Sequence, residues 1–218
     1  MINIALDGPA GSGKSTVAKE LAKKLDILYL DTGAMYRACA LKCLRLGVPV
    51  DDESRVKPII DDIDLEIRYL NGGQVTVLDG EDVSLAIRKP EISMLASTVS
   101  AHKAVRLKMV ELQRKIAAGT DCVLDGREIG TFVLPRAEYK FFLTATPEVR
   151  AQRRYKELIA RGEKVDYDAL LEEIKQRDYN DSHREFAPLK KADDAVLIDT
   201  SNMSVSDVVS VVIKAVKG

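Results

Sequence analysis

The sequence predicts an α/β fold in which five parallel strands are covered by helices on both faces, and three observations carry that prediction. Short apolar runs alternate along the chain with stretches of helical period, as in successive strand-helix-strand units. A glycine-rich loop, "GPAGSGKS", separates the first apolar run from the first helical stretch. The 218 residues, 46% hydrophobic and 31% charged, suffice for one generous core and are short for two independent ones, so a single domain is expected.

Taken in order, "INIAL" is the first strand, and "STVAKELAKKL" the first helix, with Val17, Leu21 and Leu25 at helical spacing. "ILYL" follows as the second strand, then a helix around Tyr36 to Leu46 that stops at Gly47 and Pro49. "CVL", "KFFL" and "AVLID" supply the other three strands. Residues 64–78 differ in period: "DLEIRYL" and "QVTVL" alternate about Asn71-Gly72-Gly73 and predict a hairpin. A parallel core has little use for a hairpin, so 64–96 is expected to be a small antiparallel insert that covers a ligand. A long helix from near His102 to Gly119 returns the chain to the core. Pro147 opens an arginine-crowded helix that Gly162 closes, and "YDALLEEIKQRDYND" follows with Arg177 and Asp181 four apart on one face. The expected division is a core of 1–63, 97–148 and 167–218, an insert of 64–96 and a lid of 149–166.

A formal net charge of −1 gives no broad basic field, which argues against nucleic acid and membrane surfaces as partners. No run of about 18 apolar residues occurs, the start has an acidic residue at position 7 and no basic leader, and a cytoplasmic protein is expected. Cys39, Cys43 and Cys122 lack paired spacing and read as reduced core thiols; His102 and His183 are isolated and are given no metal role. No unusual apolar stretch demands a partner, so a monomer is expected.

Gly8, Pro9, Ala10, Gly11, Ser12, Gly13, Lys14, Ser15 and Thr16 form the loop that binds nucleoside triphosphate phosphates after a strand and before a helix. Glycines let backbone amides turn toward phosphate oxygens, the helix adds the positive end of its dipole, Lys14 reaches β- and γ-oxygens, and Ser15 offers its hydroxyl to Mg²⁺. The segments that mark guanine switches (N/T-K-x-D) and ABC transporters (LSGGQ) are missing. The arginines Arg37, Arg127, Arg177 and Arg184 lie near predicted strand or helix ends, where a second anion would bind. A small-molecule kinase is the leading reading; a kinase for another acceptor or a nucleotide-binding regulatory module are the alternatives.

In "IALDGPAGSGKST", "LDTGAMYR", "IRKPEIS", "LASTVSA", "LDGREIGT", "IKQRD", "DSHREFAPL" and "VLIDTS" the chain resembles the bacterial cytidylate kinases, of the nucleoside monophosphate kinase group, over nearly its whole length. The resemblance implies a P-loop kinase with the small β insert and a helical lid, converting ATP and CMP or dCMP to ADP and CDP or dCDP with Mg²⁺. It also implies that Thr32, Arg37, Ser97, Arg106, Arg127, Arg177, Asp181 and Arg184 contact the monophosphate. Arg37, Arg127 and Arg184 would hold its phosphate, Arg177 and Asp181 attend its ribose, and Ser97 and Arg106 line the base pocket with Glu128. Thr32 stands where the family often has serine, and Glu128 where aspartate is commoner.

The CMP phosphate is already a nucleophile at neutral pH, so no general base is expected. Lys14, Arg127 and the lid arginines Arg153 or Arg154 are the candidate catalytic groups, and an arginine closing over the transferred group can be worth about 10³ to 10⁵ in rate. Glu157 and Glu163 nearby also allow a plain solvated face for some of them. In "LDGREIGTF" Arg127 reads as a phosphate clamp. Glu128, repelled by that phosphate, is better used to accept from the exocyclic amine of cytosine, which uracil lacks.

Overall fold

The computed structural model describes residues 1–70 and 72–217; Asn71, expected in the hairpin turn, and Gly218, the last residue of the expected core, lie outside them. In chain order the elements are β1 (Asn3–Asp7), α1 (Lys14–Leu25), β2 (Leu28–Asp31), α2 (Thr32–Arg45), α3 (Glu53–Asp61), β3 (Leu65–Leu70), β4 (Gly73–Leu78) and β5 (Glu81–Asp82). They continue with α4 (Pro90–Val99), α5 (Lys103–Ala117), β6 (Cys122–Gly126), β7 (Tyr139–Thr144), α6 (Pro147–Ala160), α7 (Tyr167–His183), β8 (Val196–Asp199) and α8 (Val205–Lys217). Five strands form one parallel sheet in the order β2-β6-β1-β7-β8, and three form an antiparallel sheet in the order β3-β4-β5.

The chain divides into two compact units: Met1–Leu28 with everything from Thr120 onward, and Tyr29–Gly119. In the first, β1 is central. It pairs in parallel with β6, from Asn3 opposite Cys122 to Asp7 opposite Gly126, and with β7, from Ile4 opposite Tyr139. Ile4, Ala5, Leu6, Val123, Leu124 and Leu143 are fully buried, as strands covered on both faces require. Helix α1 buries Val17, Ala18 and Leu21. Helix α8, which the sequence reading passes over, is valine-rich and so poor in helix propensity. It folds because Val208, Val209 and Val212 recur on one face and are buried there. Helices α6 and α7 pack through Ala151, Leu158, Leu170 and Ile174.

In the second unit the hairpin pairs Leu65 with Leu78 and Leu70 with Gly73. The third strand, β5, was not anticipated: two residues are too few to show a period. The unit also contains α2, α3, α4 and α5, so the antiparallel sheet is one part of a larger body than residues 64–96. Helix α2 begins at Thr32, ahead of the expected start, because the Asp31 side chain accepts from the amide of Ala34. Helix α3 escaped the sequence reading because Pro58 lies inside it; capping by Asp52 and burial of Val56 and Ile60 hold it nonetheless. Cys39 and Cys43 are fully buried, and all three cysteines are free thiols. Among the described residues no helix is long and apolar enough to cross a membrane.

Candidate active site

The phosphate loop leaves β1 at a position only glycine can occupy. Gly8 has φ 146°, and a Cβ there would lie 1.9 Å from the carbonyl oxygen of Leu143. Gly13, at φ 90°, is the N-cap of α1; it makes no side-chain cap, and no acidic residue sits in the first turn. The amides and dipole at this helix end are therefore presented to an anion. Lys14 is buried, and its Nζ donates to the Pro9 carbonyl at 2.7 Å and to Ser12 Oγ at 3.4 Å. Burial first, and then the charge of Arg127, push the Lys14 ammonium down to about 7, against the opposing pull of Asp125, Asp7 and Asp181. Ser15 Oγ donates to Asp125 Oδ2 at 2.5 Å, joining a hydroxyl and a carboxylate at the end of β6. Thr16 is exposed on the first turn of α1.

Two residues that sequence reasoning did not single out brace this loop. Thr200 Oγ1, just past β8, donates to the carbonyl of Ser12 at 3.0 Å. Arg150, on α6, donates from Nη1 to the carbonyl of Ala10 at 3.1 Å and to Asp178 Oδ1 at 3.0 Å, and its side chain is 3% exposed. The only signals were "VLIDTS" ending a strand and one arginine among four.

A second charged group follows β6, which is buried along its length. Arg127 Nε donates to Asp181 Oδ2 at 2.8 Å; Arg184 donates from Nη1 to Asp181 Oδ1 at 3.4 Å and from Nη2 to Glu128 Oε2 at 3.0 Å. Burial raises the Asp181 carboxyl, but the guanidinium of Arg127, with Arg177 and Arg184 behind it, holds it below the usual carboxylate range. Burial likewise opposes the charge on Arg127, and Asp181, Asp125 and Glu128 overcome it, leaving its pKa raised. Arg177 stands one turn before Asp181 on α7. The residue pairs expected at phosphate, ribose and base are thus linked: Asp181 holds Arg127 and Arg184, and Arg184 also holds Glu128.

The candidate lid arginines are placed differently. Arg153 donates to Thr200 Oγ1 at 3.1 Å and to the Thr200 carbonyl at 2.6 Å, so it is tied to the residue that braces the loop. Arg154 makes an exposed pair with Glu157 at 3.2 Å. Both sit on α6, which Thr146 caps by accepting from the amide of Val149 and Pro147 opens.

In the second unit, Thr32 is buried at the first position of α2. Arg37, one turn on, pairs with Asp31 Oδ2 at 3.0 Å, while the Asp31 amide donates to Gln74 Oε1 at 2.8 Å. Arg106, 2% exposed, lies with its guanidinium carbon 5.3 Å from the ring centre of Tyr36. Ser97 is half-buried on α4, its carbonyl accepting from Ser100 Oγ.

A strand, a glycine loop and a helix carrying Lys14 and Ser15, set beside an acidic side chain from the neighbouring strand, define a P-loop kinase. In fold the chain is similar to a shikimate kinase from Bacteroides thetaiotaomicron, with a TM-score of 0.54 at 14% identity over 100% of this chain and 99% of that one. The family model for cytidylate kinase matches residues 4–218. Curated cytidylate kinases from Caldicellulosiruptor saccharolyticus (51% identical, covering 98% of this chain and 94% of that protein) and Clostridioides difficile (49%, covering 98% and 97%) are similar over almost their whole length. The chain belongs to the cytidylate kinase family.

Proposed function

We propose that this protein transfers the γ-phosphoryl group of ATP to CMP and dCMP, giving ADP and CDP or dCDP. The observation that carries this reading is the placing, in one compact unit, of an anion-binding loop and a separate arginine-carboxylate network that ends on a buried glutamate. One group accounts for the donor and the other for a phosphorylated acceptor with a base to be read.

In this reading the amides of Gly8 to Thr16 hold the donor phosphates and Lys14 leaves the loop carbonyl for the β- and γ-oxygens, whose negative charge restores its ordinary proton affinity. The Ser15 hydroxyl and Asp125 carboxylate are hard oxygen donors that suit Mg²⁺. When bound, that ion supplies charge neutralisation at the donor phosphates. Arg127 and Arg184, held by Asp181, orient the CMP phosphate, and Arg177 with Asp181 attends the ribose. The family resemblance adds Thr32, Arg37, Ser97 and Arg106 as monophosphate contacts. Glu128 accepts from the cytosine amine. Since the acceptor phosphate is ionised, no side chain removes a proton, and catalysis comes from alignment and from cations at the transferred group, among them Arg153 or Arg154.

The reading also makes the protein a cytoplasmic monomer that acts on small molecules alone; its three free thiols suit a reducing compartment and its balanced charge suits small-molecule partners. An ADP-release assay with ATP, Mg²⁺ and a panel of monophosphates tests it. CMP and dCMP should stimulate strongly and AMP and GMP should not; no stimulation by CMP or dCMP over the background would reject it.

A further inference from the structure

Asp7 is a buried carboxylate with no part in the phosphoryl transfer just described. It ends the central strand, is 4% exposed, and is one residue before the phosphate loop. Its two oxygens accept backbone hydrogen bonds from Ile129 and Gly130, both at 2.7 Å. These are the first two residues of the π-helical turn Ile129–Val133, and the residue immediately before them is Glu128. Such turns are rare and recur at functional sites. Contact is close: a Cβ added at Gly130 would lie 3.3 Å from Asp7 Oδ2 and 3.2 Å from Lys140 Cδ. Lys140 is itself fixed, donating to the carbonyl of Pro135 and to Asp194. Burial raises the Asp7 carboxyl to about 6, although the two amides and Lys14 favour its charge; the nearby carboxylate of Glu128 opposes it. A second anion beside Glu128 is electrostatically unfavourable, so its use must lie in the two amides it holds.

We infer that Asp7 is a positioning residue for substrate choice: by clamping the amides of Ile129 and Gly130 it fixes the backbone that carries Glu128, and so sets the discrimination between cytidine and uridine monophosphates. The inference rests on the proposed role of Glu128 as the reader of the base. Arg184 holds the Glu128 carboxylate at 3.0 Å, and Asp7 holds the amides of the two residues that follow Glu128. Glutamate has one more rotatable bond than aspartate, so the position of its carboxylate depends strongly on where its backbone is held.

Asp7→Asn tests this. The amide is isosteric but offers one acceptor where two N–H groups point, so its NH₂ meets a donor and the turn must shift. The ratio of kcat/KM for CMP to that for UMP should fall about tenfold, mainly through KM for CMP, with a smaller change in KM for ATP through the lost pull on Lys14. Glu128→Gln should lower the same ratio, and the double variant should lower it no further than Glu128→Gln alone, because both act through one carboxylate. If Glu128→Gln lowers the ratio while Asp7→Asn preserves it, the inference is overturned and the reading of the base stands. If Glu128→Gln leaves the ratio intact, the reading of the base fails and the inference falls with it. A loss of Asp7→Asn activity confined to ATP would make Asp7 a prop of the phosphate loop alone and also overturn it. Should Asp7→Asn not fold, Gly130→Ala presses on the same turn without removing a charge, and must lower the ratio for the inference to survive.

Discussion

Two sets of arginines in the same unit differ in what holds them. Arg127 and Arg184 have side chains 19% and 8% exposed, and their partners Asp181 and Glu128 are 13% and 3% exposed. Arg154 and its partner Glu157 are 37% and 59% exposed, one turn apart on α6. In the first set the charges are withdrawn from water and each needs the others; moving one leaves an unpaired buried charge. In the second, water screens both ions and the pair contributes little. The first arrangement suits groups that must already be in place when an anion arrives. The second suits a group that has to travel, since leaving Glu157 costs almost nothing. Arg153 is intermediate, with two hydrogen bonds to Thr200 to give up.

The sharpest way to break this contrast is Arg127→Ala. It removes the nearest partner of the buried Asp181, leaving only the weaker pull of Arg177 and Arg184, and should cost about 3–5 kcal/mol in urea unfolding, together with most of the CMP-dependent activity. Unfolding unchanged from the parent protein would show the network to be no more than surface pairing. Replacing Arg153 and Arg154 together by alanine should lower kcat about 10³-fold if they close over the transferred group, and ATP-dependent turnover that stays near normal would assign both to scaffold and solvent. Arg154→Ala alone should shift the unfolding free energy by no more than about 0.5 kcal/mol, which the same urea curve measures.

Lys14 offers a subtler test. Its pKa is lowered to about 7, so between that pH and 10.5 the folded protein binds fewer protons than the unfolded chain. The depressed pKa therefore costs stability below about pH 7, and the cost fades as pH rises toward 10.5. Phosphates facing the amine reverse the shift. ATP binding at pH 8 should thus take up as much as about one proton, seen by calorimetry as a binding enthalpy that depends on the ionisation enthalpy of the buffer. A buffer-independent enthalpy would mean that Lys14 keeps its proton before ATP arrives.

Residues whose role follows from local order were legible in the sequence. The loop from Gly8 to Thr16 combines fixed spacing with a strand before and a helix after, and the Thr146-Pro147 helix start and Gly162 stop are equally local. The hairpin was legible by its alternation. Asp7 was visible only as an acidic residue near the start of the chain, and nothing in the order of residues connects it to amides more than 120 positions away. Arg150 and Thr200 are similar: each braces a phosphate-loop carbonyl across the unit, and neither stands out among its neighbours in sequence. Helix α8 was hidden because its propensities contradict the state that burial imposes on it.

By itself the sequence determined the periods, the loop chemistry and the family motifs, and with them an α/β kinase that binds ATP and a monophosphate. Those features depend on spacing along the chain, which is what a sequence records. Only the tertiary structure decided that Asp181 joins Arg127 to Arg184, that Arg184 also holds Glu128, and that Asp7 holds the backbone beside it. Burial and mutual charge set those partnerships, and both arise only when distant segments are brought out of water together.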